Sequence, residues 1–137
     1  MALVVPNGQE EKLLDLILNQ SISLRLYSNN KTPANTDVVG DYTEVSGGGY
    51  AAVALTFANW VSTAGSPTEA TYATHQSFTF TGASASPTTV YGYYMTDAAG
   101  VLLLAERFPA ANVPFIPRTG ALVRIRPTIT LASVSGD

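Results

Sequence analysis

Residues 88–108, TTVYGYYMTDAAGVLLLAERF, decide the fold class of this chain. Two apolar stretches, Thr88–Thr96 and Val101–Phe108, flank the tetrapeptide Asp97-Ala98-Ala99-Gly100. β-Branched and aromatic residues on both sides of a short loop ending in glycine predict a β-hairpin. Gly100 supplies the positive φ, and the Asp97 side chain caps the turn amides.

Outward from the hairpin the same two-residue period recurs. Ile22, Leu24 and Leu26 alternate with Ser23, Arg25 and Tyr27, which predicts a half-buried strand. Ser77–Thr81 alternates in the same way, and Tyr42–Val45 reads as a short strand. Tyr50–Phe57 places Ala51, Val53, Leu55 and Phe57 on one face. Residues 62–75, rich in Ala, Thr and Ser around Pro67, read as a long connection with a partial strand. Ala121–Ile125 and Thr128–Ala132 read as one last strand. Pro127 inside it removes a ladder donor, so the strand lies at an edge or carries a bulge.

Only the start of the chain has a helical period. Asn7-Gly8-Gln9-Glu10 has the form of a capping box, with Asn7 at the N-cap and Glu10 reaching back. Leu13, Leu14, Leu16, Ile17 and Leu18 then cover a broad arc, which predicts a helix near residues 8–19. So short a helix does not persist alone in water and must dock on its own sheet or on a neighbouring subunit. The expected organisation is an N-terminal arm and helix over 1–20 and one globular β-domain over 21–137. The fold class is mainly β: an antiparallel β-sandwich or β-barrel with one short N-terminal α-helix.

Of the 137 residues, 46% are hydrophobic and 12% charged, so the chain is not a charge-driven disordered one. The net charge of −3 and seven scattered Lys and Arg leave no basic stripe for nucleic acid, and none is expected as a partner. No apolar run is long enough to span a bilayer, and the start, MALVVPNGQEEK, lacks the basic region of a secretory signal. Low charge leaves broad neutral Ser, Thr, Ala and Gly surface, which is suited to lie against another protein.

Residues that could carry chemistry are few. Without cysteine there is no thiolate nucleophile and no thiolate metal site. The single histidine, His75, would have to serve any catalytic triad, yet no nucleophile elbow accompanies it. A hydrolase using His75 is therefore the weakest of the functional readings. Asp37, Asp41 and Glu44 lack the spacing of a calcium loop. Gly47-Gly48-Gly49 precedes a strand rather than a helix, so it reads as a turn and not a phosphate loop. No catalytic residue, metal or cofactor is expected. The residues expected to touch a partner or another copy are Val4, Leu14, Ile17, Trp60, Tyr91 and Tyr93. Tyr91 and Tyr93 are read as one tyrosine stripe on a strand face.

The runs LRLYSNNKTPANTDVVGDYTEVSGGGYAAVAL, VYGYYMTDAAGVLLLAERF and VRIRPTITLAS, spanning about residues 22–133, resemble small structural proteins of tailed bacteriophages. Among these the chain resembles head decoration, or cement, proteins in particular. The resemblance implies a non-enzymatic virion protein, made in the host cytoplasm, that binds the capsid surface and stabilises it. Its implied partners are the major capsid protein and further copies of itself. A homotrimer would match local threefold positions of an icosahedral shell. The alternative is a receptor- or carbohydrate-binding β-module of a phage tail or fibre, using Trp60 and the Tyr91/Tyr93 face.

Overall fold

The hairpin read from residues 88–108 forms one side of a four-stranded antiparallel sheet. In the computed structural model, which describes residues 4–82 and 89–131, β6 (Gly92–Thr96) and β7 (Leu102–Arg107) pair antiparallel. Gly100 closes the turn at φ 82°, and the Asp97 carboxylate accepts the amides of Ala99 and Val101, each at 2.9 Å. On the other side of β6 runs β1 (Ile22–Tyr27), and beyond it β2 (Val53–Leu55), giving the order β2-β1-β6-β7. Cross-strand partners share a face. Leu24 and Leu26 therefore lie with Met95 and Tyr93, while Arg25 and Tyr27 lie with Tyr94 and Gly92.

The remaining strands are short. β3 (Trp60–Thr63), β4 (Thr68–Tyr72) and β9 (Thr128–Leu131) form an antiparallel three-stranded sheet in the order β3-β4-β9. β5 (Gln76–Thr79) and β8 (Leu122–Ile125) form a two-stranded one. Among the described residues the chain is mainly β, with one helix near the N-terminus, and no sheet closes on itself. The sandwich-like alternative stands and the barrel does not.

Several expected boundaries move. Residues 62–75 hold most of a genuine hairpin, β3–β4, which Ala and Thr at its alternate positions disguised as a connection. Pro127 does not sit inside one strand; it divides two. Its buried ring ends β8, and its carbonyl accepts the amide of Tyr72 at 2.9 Å as β9 begins. Within Tyr42–Val45 only Glu44 bridges to Tyr27, and within Tyr50–Phe57 only Val53–Leu55 pairs. Phe57 has left the strand for a 3-10 turn, Phe57–Asn59. Residues 1–3 of the arm, Thr88 of the hairpin and Ala132 of the last strand lie outside the described residues.

Helix α1 (Asn7–Leu18) forms where expected but starts differently. Pro6 is its N-cap, and no side chain caps it; the Pro6 carbonyl accepts the amides of Gln9 and Glu10 at 2.8 and 3.0 Å. The capping box fails because Asn7 is already helical and Glu10 turns inward. Glu10 is 2% exposed, and its carboxyl group accepts the Thr68 hydroxyl at 2.8 Å, as a buried polar group needs a partner. Glu10, Leu14 and Leu18, spaced by four, form the line that α1 buries, and the helix packs on β3 and β4.

Two compact units make up the chain. One takes the chain up to Gln20, Thr56–Gln76 and the chain from Ile125; the other takes Ser21–Leu55 and Ser77–Arg124. The expected cut after residue 20 is thus one boundary among several, and the helix belongs with strands from the middle and end of the chain.

Candidate interaction surface

The broad apolar arc of α1 exceeds what β3 and β4 cover. Leu14 and Leu18 are buried, at 1% and 0% exposure, whereas Leu16 is 72% exposed and Leu13 and Ile17 are each 43% exposed. Leu13, Leu16 and Ile17 fall within about one third of a turn of one another on the helical wheel, so they make one ridge. A shallow depression of about 320 Å³ lies beside Leu16, at the edge of the ridge, lined by Lys12, Asp15, Leu16, Asn19 and Phe57. Phe57 is exposed because the 3-10 turn rotates it outward. The rim carries charge of both signs, and Asp15 is held by the Ser62 hydroxyl at 2.6 Å. The surface is therefore apolar at its centre and nearly neutral overall.

The six residues expected at a contact scatter. Val4 is exposed ahead of the helix, and Ile17 is on the ridge. Leu14, Trp60 and Tyr93 are buried, so their side chains serve the fold. Trp60 packs edge-on against Tyr72 at 5.2 Å, and its indole N–H finds no acceptor among the described residues.

The tyrosine stripe does not form. Tyr91 lies before β6 begins and packs with the Tyr27, Tyr42 and Tyr94 cluster, under the Arg107 guanidinium at 5.1 Å. Tyr93 lies on the opposite side with Leu26, donates to the Glu106 carboxylate and neighbours Phe108. Loss of strand regularity at Tyr91 breaks the two-residue alternation on which the stripe depended.

Sequence reading passed over Leu16 and Phe57. Leu16 has the same side chain as Leu14 but stands about 200° round the helix from it, on the side that β3 and β4 leave open. Phe57 was expected on one face of a longer strand, with Ala51, Val53 and Leu55.

The acidic residues each have their own structural engagement. Asp37 meets the Lys31 ammonium at 2.8 Å, the Tyr42 hydroxyl at 2.7 Å and the Ala34 amide at 2.8 Å. The hydrogen bond from Lys31, then that from Tyr42, lowers its carboxyl to about 2. Burial, with Asp37 beside it, pushes the Tyr42 phenol well above its ordinary value. Glu44 is bidentate to Arg25 at 2.9 Å and accepts the Tyr50 hydroxyl. Asp41 caps the Val38 amide at 2.8 Å. His75 is exposed between β4 and β5. Among the described residues no three His, Asp or Glu side chains converge as metal ligands, and no helix is long and apolar enough to cross a membrane. No family model, curated protein or solved structure matches this chain.

Proposed function

We propose that the chain is a virion structural protein that docks on the outer surface of a phage capsid and reinforces it. The observation that carries this reading is the exposed Leu13, Leu16 and Ile17 ridge beside Phe57, in a chain with only 12% charged residues. An apolar, nearly neutral ridge desolvates little charge on contact and suits a protein partner. The resemblance to decoration proteins supplies the partner, the major capsid protein.

Reinforcement follows by mass action. A ligand that binds only the intact shell stabilises it by RT ln(1 + [L]/Kd), about 2.7 kcal/mol at a hundredfold excess over Kd. The tail- or fibre-module alternative needs an aromatic platform, and the burial of Trp60 and Tyr93 removes two of its three members.

Purified protein should co-sediment with assembled shells and raise the temperature at which they release DNA. Leu16→Ser should abolish co-sedimentation without unfolding the protein. Failure of the unaltered protein to co-sediment would overturn the reading, as would equal release temperatures at saturation.

A further inference from the structure

Strand β7 is the longest edge strand among the described residues: six residues, against three in β2 and four in each of β3, β5, β8 and β9. An open edge offers unpaired backbone donors and acceptors, and folded proteins blunt such edges with proline, free charge, bulges or short length. At the far side of the same sheet, β2 is blunted by its shortness. β7 is not. Leu102, Leu103, Leu104 and Ala105 are only half-buried, and no proline interrupts them. The one irregularity lies at the hairpin end, between Met95 and Thr96 opposite, and leaves Leu104–Arg107 in regular register. The two charged side chains of β7 lie at one end, leaving Leu102–Ala105 uncharged, and each bonds within the chain. Glu106 accepts the Tyr93 hydroxyl, while Arg107 donates to the Lys31 carbonyl at 3.0 Å and stacks on Tyr91.

The direction of the free groups follows from the ladder. Leu26 turns its N–H to the Tyr50 hydroxyl and its C=O to the Val45 amide, both away from β6. Alternation through the pairs Leu26–Tyr93 and Tyr93–Glu106 then aims Glu106 at β6. The N–H and C=O of Ala105 and Arg107 face the open side.

We propose that β7 pairs with β7 of a second copy of this chain, antiparallel about a twofold axis at Ala105. That register sets Leu104 of one copy against Glu106 of the other, and Leu103 against Arg107. No like charges stand directly opposite each other, and the small Ala105 side chains face each other on the axis. That register therefore permits self-pairing, and with β2 too short to extend the sheet the contact closes after two copies rather than growing a filament. Ala105 and Leu102 also line a groove of about 540 Å³ beside Pro33 and Ala34, which gives side chains of the incoming strand room on that face. The twofold contact stands apart from the capsid-docking reading, and it favours two copies over the three that the family resemblance implies.

Sedimentation velocity and light scattering on the purified chain, over a hundredfold concentration range, test the pairing. The expected result is a species of twice the chain mass, with the Ala105 amide protected from exchange in proportion to that species. Ala105→Pro removes an outward donor without touching the β6 ladder, so it should give a folded monomer. Leu103→Lys should do the same by guarding the edge with charge, and it decides the matter if the proline variant fails to fold. A wild-type chain that stays monomeric throughout, a species of three copies, or a dimer undiminished in the folded variants would each overturn the proposal.

Discussion

The Tyr27 ring lies directly across Gly92, its cross-strand partner between β1 and β6. A methyl group at 92 would stand 2.6 Å from the tyrosine oxygen, and it would also press on the Glu106 carbonyl of β7. Glycine there lets the ring fold flat over the sheet, so that its hydroxyl reaches the Lys31 carbonyl at 3.1 Å. Gly92→Ala should therefore destabilise the fold by about 1–3 kcal/mol, the usual range for forced overpacking. Denaturant unfolding measures the loss, and an unchanged midpoint would mean that the ring can withdraw at no cost.

Neighbouring leucines of α1 should respond oppositely to truncation. Leu14→Ala opens a cavity at a fully buried site and should cost about 2–5 kcal/mol. Leu16→Ser acts on a 72% exposed side chain and should shift stability by no more than about 0.5 kcal/mol. Paired thermal melts check the contrast.

Acid should act through Asp37. Its carboxyl is lowered from 3.8 to about 2 by its hydrogen bond from Lys31. A depressed carboxyl favours the folded state above the unfolded pKa, near 3.8, and that contribution disappears as pH falls through about 2. Asp37→Asn should thus be less stable than the parent at neutral pH and converge with it toward pH 2. A constant gap across that window would sink the assignment.

At the alkaline end the sign reverses. Burial, more than any neighbouring charge, raises the Tyr27 phenol from 10.0 to about 12. Its contribution is intact below pH 10 and is lost as pH rises through about 12, because the unfolded chain ionises first. Unfolding monitored by tyrosinate absorbance should show stability declining from pH 10 upward, with a shallower decline in Tyr27→Phe.

The hairpin was legible because its signals are local: glycine and aspartate at fixed turn positions between apolar runs. The helix was legible from its period. What escaped was set by partners distant in sequence. Glu10 left the expected capping box because Thr68, 58 residues away, offers a buried hydroxyl. Tyr91 left the expected stripe because regular pairing begins only at Gly92, and the glycine inside VYGYY is the one mark of that break. The division of the leucines into buried and exposed lines depends on how much of α1 two short strands can cover, a quantity that residue type does not encode.

The cuts after Gln20, Leu55, Gln76 and Arg124 also set an order of completion during synthesis. Every strand of the four-stranded sheet has been made by Arg107, whereas the unit holding α1 is made first in part and finished last. The segment of α1 is made well before β3 and β4, the strands it packs on, and β9 follows both. The leucines that later become core are then indistinguishable from the exposed ridge, so the nascent chain presents all five apolar residues of the helix together. Until β3 and β4 have been made, through Tyr72, α1 lacks the strands that cover it, and its apolar residues stay exposed together for that interval.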